Sequence, residues 1–332
     1  ERVEKATFER IKSNRITSLE NVKFARPTSQ LFSNVNVEIN AFTLPVDAQI
    51  KALKALDFET FKTIVEDIAG TLEVEGFYNG NIKKADVTKI GDDLKSQFGD
   101  ALESDVKLGY EAIMLPEGSD FIRQIDIDHN DSTIFQVFEG DTDSFEEKAK
   151  YQLLAHMLSQ RFFKSLRTEQ QYGYVVSLSN YSFDQVPGMR TIIQSDKAHP
   201  SVLRAKTQEF LEAQTNYLGS LSDEEFQSQI GGLLSKINKK YDNIYVKGSV
   251  LNSDLMNENY DFDTRAKLTA AVNALSAQDM AAFYQSEILD PSRRAMTLWS
   301  IGKAHNGFKG YDASEYDICK KDKCIFERGA AN

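Results

Sequence analysis

The stretch from Phe162 to Val176 contains side chains whose types and spacing could act on a substrate. Arg167 offers a planar fork of N–H donors, and Tyr174 offers a phenol that can donate to a developing oxyanion. Gly173 stands between two tyrosines at the start of a predicted strand, where a side chain would hinder the close approach of another backbone. These residue types are compatible with a substrate site. A plain connection from a helix to a strand remains open as the other interpretation.

The rest of the sequence lacks the motifs of well-understood catalytic sites. It contains no H-E-x-x-H or H-x-x-E-H metal motif, no G-x-x-x-x-G-K-[ST] or G-x-G-x-x-G phosphate loop, and no G-x-S-x-G nucleophile. Two cysteines and four dispersed histidines are too few and too scattered for a structural zinc site. We therefore interpret three histidines as ordinary structural or surface residues: His129, His156 and His199.

An acidic group at Asp126, Asp128 and Asp131 resembles a scatter of calcium ligands. It lacks the glycine and the distal glutamate that complete an EF-hand loop. A solvated hairpin is the better interpretation.

Length and composition limit the kinds of protein that this sequence can encode. At about 100–200 residues per domain, a chain of 332 residues is predicted to form two domains. A hydrophobic fraction of 41% with 27% charged residues is typical of a folded chain. The net charge of −11 disfavours nucleic acids and anionic membranes as partners. No apolar run approaches the roughly 20 residues that span a bilayer, and the start ERVEK suggests a fragment or a processed product.

Helical patterns dominate the first hundred residues. We expect Pro27 and Pro45 to interrupt helical stretches, because proline cannot continue a helix. Asp57 is a predicted N-cap. Its helix carries an apolar face at three- and four-residue spacing: Phe61, Ile64, Val65, Ile68 and Leu72. A short strand at 73–78 and a helix at 85–98 are predicted to follow.

Strand patterns begin after the first hundred residues. Residues 121–128 and 132–138 are predicted to form a hairpin around the turn at 129–131. Ser144 and Glu147 predict a capping box for the next helix. The inner face of that helix contains Tyr151, Leu154, Ala155, Leu158 and Phe162.

Further strands are predicted at 174–178, at 189–194 and, as the final one, at 294–301. Helices lie between them, including one capped by Ser222 with Glu225 and one that begins at Ser276. The pattern as a whole predicts an α+β fold in which a sheet packs against helices.

An internal similarity suggests how the chain divides. The helix from Asp57 and the strand ending at Gly80 are echoed by the helix from Ser276 and the strand ending at Gly302. The chain therefore resembles one and a half copies of a unit. We expect residues 1–105 to be the C-terminal part of one domain, 106–118 a linker, and 119–332 a second, homologous domain.

The segment around Arg167 also resembles a known family. Leu166-Arg167-Thr168-x-x-Gln171-x-Gly173-Tyr174 is similar to the R-x-x-x-Q-x-G-Y signature in the C-terminal half of the pitrilysin and insulin-degrading enzyme family, the insulinase-family zinc metallopeptidases. Tyr172 stands where the family usually has an aliphatic residue. Further similar segments extend the resemblance over most of the chain, up to about Gly302: 77–82, 190–195, 221–226 and 260–263.

The resemblance implies a parent enzyme of four homologous α+β domains whose two halves close around a peptide. The two domains expected here would then be the partial third and the fourth. The zinc ligands and the catalytic glutamate of the family belong to its first domain, so no metal ligands are expected in this chain. By position, the resemblance implies a catalytic Tyr174 near the scissile carbonyl, Arg167 as a substrate contact, and Gly173 as the spacer between strand and site.

The expected function is therefore that of a substrate-chamber part of a zinc-dependent endopeptidase. Its partners would be peptide substrates and the N-terminal catalytic half of the same protein, and the fragment alone would be inactive. The alternative is a non-catalytic scaffold or partner subunit of the same fold. An upstream H-x-x-E-H helix would distinguish the enzyme from the scaffold.

Cys319 and Cys324 could close a small disulfide loop if the compartment is oxidising, or they could be free thiols. Bacterial relatives of this type are often periplasmic, so the resemblance favours the bacterial periplasm. Mass spectrometry with and without a reductant would test the pairing.

Overall fold

Prolines set the first helix boundaries. A computed structural model describes residues 3–69, 75–98, 113–183, 185–319 and 324. Helix α1 covers Lys5–Val22, and α2 (Pro27–Ile39) begins at Pro27, where the missing N–H and the fixed φ of proline suit the first turn. Helix α3 (Val46–Ala55) begins directly after Pro45. The predicted interruptions at both prolines are confirmed.

The chain separates into two compact units, of which the first is helical. This helical unit is drawn from residues 1–21, 46–110 and 240–264. Its helices include α1 and α3 together with α4 (Phe58–Ala69), α5 (Lys84–Phe98) and α9 (Ile244–Met256). Phe8 is buried against Phe58 and Phe61, with ring centroids 5.6 and 4.9 Å apart.

The predicted helix after Asp57 is confirmed, since the Asp57 carboxylate accepts the Thr60 N–H at 2.8 Å. Its apolar face differs from a core face, because Ile64, Val65 and Ile68 are 43–50% exposed, and Leu72 lies outside the described residues. The helix predicted at 85–98 is confirmed as α5.

The predicted strand at 73–78 is wrong over residues 75–78, which have no regular secondary structure. Residues 73 and 74 lie outside the described part of the chain. A strand needs a neighbouring strand to pair with, and none pairs with 75–78 in the ladders of the described residues.

The second unit, drawn from residues 22–45, 111–239 and 265–332, is built on one mixed sheet. We call it the sheet unit. Its described strands have the order β3-β4-β2-β5-β1-β6. Strand β1 runs parallel to β5 and β6, and the other neighbours are antiparallel. The strand bounds are β1 Asp120–Gln124, β2 Ser132–Glu139, β3 Val175–Phe183, β4 Val186–Ser195, β5 Arg294–Ser300 and β6 Ile318–Cys319.

The predicted hairpin of the first two strands is wrong. Strand β5 lies between β1 and β2 and pairs with both of them. Every residue of β2 is buried, so this strand is central and needs a neighbour on each side. The turn residues at 129–131 predict a reversal correctly, but they carry no information about a strand that arrives later in the sequence and separates the two.

Helices cover both faces of the sheet. Side chains alternate along β2, so that Ile134 and Phe138 face one hydrophobic core while Phe135 and Val137 face another. Helix α2 covers the second core. The first core is covered by α6 Phe145–Phe162, α7 Pro200–Gly219, α8 Asp223–Ile237, α10 Thr264–Ala274 and α11 Ala277–Tyr284. The predicted α+β class, a sheet packed against helices, is confirmed.

The capping predictions are confirmed with one correction. Ser222 and Glu225 form a full capping box at α8, and Ser276 caps α11. Ser144 caps α6 by accepting the Glu147 N–H at 3.2 Å. The Glu147 carboxylate does not return to Ser144; it accepts the N–H groups of residues 141 and 142 at 2.7 and 2.9 Å, because the preceding turn presents them.

Cys319 and Cys324 form a disulfide, and β6 ends at the first of them. The strand predicted at 294–301 is therefore present but is not the final one. The linker at 106–118 lies partly outside the described residues, and the proposed domain boundaries remain a prediction. No helix in the described ranges is long and apolar enough to cross a membrane.

Glu139 is a buried acid at the end of β2. Its Oε2 accepts the Leu115 N–H at 2.5 Å, and its Oε1 is buried without a hydrogen-bond partner in the described structure. The Arg294 guanidinium donates to the Leu115 carbonyl at 2.6 Å and to the Asp141 carboxylate at 2.7 Å. Burial raises the pKa of Glu139 from 4.5 to about 7, against the opposing effects of the Leu115 N–H and the Arg294 charge.

We predict that Glu139→Gln removes a pH dependence of the sheet unit. The pKa of Glu139 is higher in the folded state. Between pH 4.5 and about 7 the Glu139 carboxyl is therefore mostly protonated in the folded protein and mostly ionised in the unfolded chain. Its contribution to stability is complete at lower pH and is lost as the pH rises through about 7. The loss amounts to at most about 3 kcal/mol. Glu139→Gln should therefore be more stable than wild type at pH 8 and about as stable as wild type at pH 5.

Urea unfolding at both pH values, followed by emission of the buried single tryptophan Trp299, measures this effect. Glu117→Gln, at an exposed position of the same segment as Leu115, is the control. Equal changes in stability with pH for wild type and Glu139→Gln would contradict the assignment.

Candidate functional site

The candidate site begins where α6 changes its winding. After Phe162 the helix continues as a π-helical segment, Phe163–Glu169, with Leu166 buried beneath it. The Leu166 carbonyl accepts the Tyr172 N–H at 2.9 Å. Gln171 then takes a positive φ of 56°, which turns the chain out of the helix and towards β3.

Gly173 is required by a close backbone contact. A Cβ at this position would lie 2.2 Å from the carbonyl oxygen of Gln194 and 3.0 Å from its carbon. The chain entering β3 therefore passes directly against the end of β4. The close backbone approach predicted at Gly173 is present, while its part in substrate binding remains a prediction.

Tyr174 follows at the same end of the sheet and makes two side-chain hydrogen bonds. Its hydroxyl donates to Asp131 Oδ2 at 2.7 Å, and its oxygen accepts from Gln194 Nε2. Gln194 Nε2 also donates to Asp131 Oδ2 at 2.9 Å. The three side chains thus form a closed set of hydrogen bonds, which we call the Tyr174 triangle. Tyr174 remains 54% exposed, so one side of its ring faces outwards.

The phenol of Tyr174 keeps its proton at neutral pH. Partial burial, and then the hydrogen bond to the Asp131 carboxylate and its charge, raise the pKa of Tyr174 above 10. A protonated phenol is a hydrogen-bond donor. The residue can therefore donate to an anionic oxygen, provided that this oxygen takes the place of Asp131.

Arg167 lies on the π-helical segment with its side chain exposed. Its guanidinium carbon is 4.8 Å from the ring centroid of Phe163, a cation–π contact. It forms no hydrogen bond or ion pair with the described residues, so its donors are available to a ligand. Phe163 also lines an open groove of about 210 Å³ with residues of α6 and β3: Ser159, Gln160, Val176, Ser177 and Leu178.

The sequence did not predict Asp131 or Gln194 as site residues. Asp128 is exposed, as the expected solvated hairpin requires, but Asp131 is only 8% exposed, so that interpretation is wrong for it. The cross-strand register pairs Val175 with Gln194 and Ser132 with Ser195, which brings these residues together. No local pattern in the sequence carries that register.

The three histidines interpreted as ordinary have structural partners. His199 caps α7 by accepting the Ser201 N–H at 3.2 Å, and burial lowers its pKa to about 4. His156 Nδ1 lies 3.0 Å from Lys236 Nζ, and His129 Nδ1 accepts the Asp131 N–H at 3.0 Å.

No group of three His, Cys, Asp or Glu side chains in the described ranges could hold a metal ion.

Comparisons with known proteins agree with this fold. Residues 153–249 match the family model described as PQQ synthase PqqF-like, C-terminal lobe domain 4. The chain is 24% identical over 323 residues to the A-factor-processing enzyme of Saccharomyces cerevisiae, covering 95% of this chain and 31% of that enzyme. It is 25% identical over 247 residues to protease 3 of Escherichia coli K12, covering 70% and 24% of the two chains.

Among solved structures, pitrilysin superposes with a TM-score of 0.84 at 19% identity, covering 97% of this chain and 34% of pitrilysin. This likeness shows that the two proteins share a fold. The curated relatives extend the agreement to the sequence, and the chain spans about a third or less of their length. Together the matches support a similarity of this chain to the C-terminal part of insulinase-family peptidases, so the family resemblance predicted from the sequence is confirmed.

We predict that Gly173→Ala destabilises the sheet unit by about 1–3 kcal/mol, because its Cβ would collide with the backbone of β4 at Gln194. Gly231→Ala in α8 is the matched control, since nothing lies within 4 Å of its Cβ position. The control should gain about 0.5–1 kcal/mol from the helix preference of alanine. Urea unfolding monitored by Trp299 emission measures the free energy of unfolding of both variants. Equal values for Gly173→Ala and Gly231→Ala would exclude the close contact between residue 173 and the Gln194 backbone.

Proposed function

We propose that this chain is a substrate-chamber part of a zinc-dependent endopeptidase, in which it binds peptides and stabilises the transition state. The observation that carries the proposal is the Tyr174 triangle: a protonated, half-exposed phenol whose oxygen is fixed by two buried side chains. The family resemblance supports the same assignment.

Tyr174 would act as the donor to the oxyanion. Attack on a peptide carbonyl places negative charge on its oxygen, and a donor fixed in advance stabilises that charge more than it stabilises the neutral carbonyl. Because the pKa of Tyr174 is raised, the phenol is the protonated species over the whole neutral range. Rotation about the Cζ–Oη bond alone redirects the proton from Asp131 to a substrate oxygen.

Arg167 would bind the peptide backbone. Its guanidinium carries several N–H donors in a rigid plane and stays charged at all relevant pH values. The guanidinium contacts the ring of Phe163, which is one of the residues that line the groove along β3. Substrate carbonyls are matched acceptors, because they are present at every residue of any peptide.

The metal chemistry is assigned by this proposal to the N-terminal catalytic half of the protein. In support, no group of three His, Cys, Asp or Glu side chains that could hold a metal ion is found in the described ranges. The proposal gives the chain two tasks: orienting the peptide and donating to the oxyanion.

A non-catalytic scaffold or partner subunit is the second candidate. The observation in its favour is that both motif side chains already have partners within the chain, Asp131 and Gln194 for Tyr174 and the Phe163 ring for Arg167. An H-x-x-E-H helix encoded upstream would exclude the scaffold as the main role.

We predict that Tyr174→Phe in the full-length protein lowers kcat by about 10²–10³-fold with little change in KM, as for the loss of other oxyanion donors. Arg167→Ala should act mainly on KM, because the contact is made to bound substrate and transition state alike. Steady-state hydrolysis of a quenched fluorescent peptide measures both. Tyr245→Phe, at a position 84% exposed, is the control for loss of a tyrosine hydroxyl. Wild-type kcat in Tyr174→Phe would exclude the donor role.

We also predict that the isolated 332-residue chain does not hydrolyse this peptide, with or without added zinc. The physical reason is that a fixed donor and a binding side chain do not activate water by themselves. Mixing the chain with a separately produced N-terminal half should restore turnover. Hydrolysis by the isolated chain in the presence of a chelator would refute the assignment of the metal chemistry to the other half.

A further inference from the structure

We propose that Gln194 and Asp131 are positioning residues for Tyr174: Gln194 fixes the phenol oxygen, and Asp131 holds the phenol proton until a substrate oxyanion replaces it. This inference rests on the proposed donor role of Tyr174. It assigns tasks to two residues outside the motif that identifies the family, on the strength of their contacts alone.

Gln194 is suited to fix an oxygen because it is almost completely enclosed. Only 2% of the residue is exposed, and its backbone is held by the contact with Gly173. Its carboxamide nitrogen carries two hydrogens, one for Asp131 Oδ2 and one for the Tyr174 oxygen. Both bonds can therefore exist at the same time.

The orientation of the Gln194 amide is determined by its neighbours. Turning the amide over would direct its oxygen at the Asp131 carboxylate, and two acceptors would then face each other. In the observed orientation Oε1 is buried with no hydrogen-bond partner in the described structure, which is costly. The Gln194 oxygen thus stays without a hydrogen bond, while the N–H groups of the same amide bind Asp131 and Tyr174.

Asp131 supplies a resting acceptor that can be exchanged. Asp131 is 8% exposed. Besides the Tyr174 hydroxyl, its Oδ2 accepts a hydrogen bond from Gln194 Nε2 at 2.9 Å, and His129 Nδ1 lies 3.8 Å from it. When the phenol proton turns away, the carboxylate keeps the Gln194 N–H. The exchange moves one hydrogen, and the Asp131 and Tyr174 oxygens then move apart slightly, because two acceptors without a hydrogen between them repel each other.

The bond from Gln194 also strengthens Tyr174 as a donor. A hydroxyl whose oxygen accepts a hydrogen bond becomes more polarised, so its own O–H is the better donor. That effect persists after the proton has turned to a substrate, because Gln194 binds the oxygen and not the proton. Gln194 therefore contributes in the transition state, whereas Asp131 contributes in the free enzyme.

The direct test is a titration of Tyr174 in the 332-residue chain labelled with ¹³C at the tyrosine Cζ, with the signal assigned by its loss in Tyr174→Phe. Asp131→Asn keeps an acceptor oxygen and removes the charge, so the pKa of Tyr174 should fall. Gln194→Met removes the N–H donor at similar size, so the phenolate loses a partner and the pKa should rise. The other charges that act on this phenol, Arg26 and Asp196, are unchanged in both variants.

Matched controls separate this effect from general damage to the sheet. Gln136→Met makes the same replacement at another buried glutamine of the sheet, 6% exposed, and should leave the Tyr174 titration unchanged. Asp128→Asn removes an exposed carboxylate near the same sheet end and should do the same. Emission of Trp299 reports whether each variant is folded. Titrations that stay at the wild-type value in both Asp131→Asn and Gln194→Met would overturn the proposal.

Activity of the full-length protein supplies the second measurement. Gln194→Met should lower kcat about 10-fold, with KM within 2-fold of the wild-type value. Asp131→Ala should lower kcat more than Asp131→Asn does, because the asparagine amide can still accept the phenol proton and orient the ring. If the titrations shift as expected but Tyr174→Phe keeps full kcat, the proposed donor role fails and this inference fails with it. If Tyr174→Phe is impaired but neither titration shifts, only the positioning role is overturned.

Discussion

The contact between Gly173 and the backbone of Gln194 is the constraint on which the candidate site depends. Any side chain at residue 173 would occupy the space of the Gln194 carbonyl, so only glycine lets the chain enter β3 this close to β4. That approach brings the next residue, Tyr174, within hydrogen-bond distance of the Gln194 amide and of Asp131 at the start of β2. A local backbone requirement thus determines the position of a phenol that a neighbouring strand then fixes.

The parts of the site that follow from the sequence are those on one continuous segment. Arg167, Gly173 and Tyr174 lie within eight consecutive residues, 167–174, and the types of these residues indicate both the turn and the available donors. Asp131 and Gln194 could not be found in this way, since they meet Tyr174 only through the register of three strands. The interpretation of Asp131 as a solvated turn residue was reasonable from local composition and failed because burial is set by distant segments.

The same distinction explains the fold predictions. Helix starts at Asp57, Ser144 and Ser222 were predictable, because capping depends on residues within one turn. The hairpin of the first two strands failed, because β5 arrives late in the chain and inserts between them. The full burial of β2 did not follow from its composition, because half of its residues are polar: Ser132, Thr133, Gln136 and Glu139.

A phenol engaged with a carboxylate is at first sight a poor candidate for an oxyanion donor, because its only proton is already donated. A phenol pointing into water would not be better placed, however, since water molecules would have to leave and the ring would have to become ordered when the substrate arrives. In the Tyr174 triangle that ordering is complete before binding, and the competitor for the proton is a single fixed acceptor. The cost of turning the proton away from Asp131 is reduced because the carboxylate retains its hydrogen bond from the Gln194 N–H. An arrangement of this kind favours an acceptor that carries full negative charge over a neutral carbonyl, because only the former competes with a carboxylate. Catalysis requires that the transition state be bound more tightly than the ground state. The Asp131 carboxylate, as the resting acceptor of the Tyr174 proton, can therefore contribute to that preference.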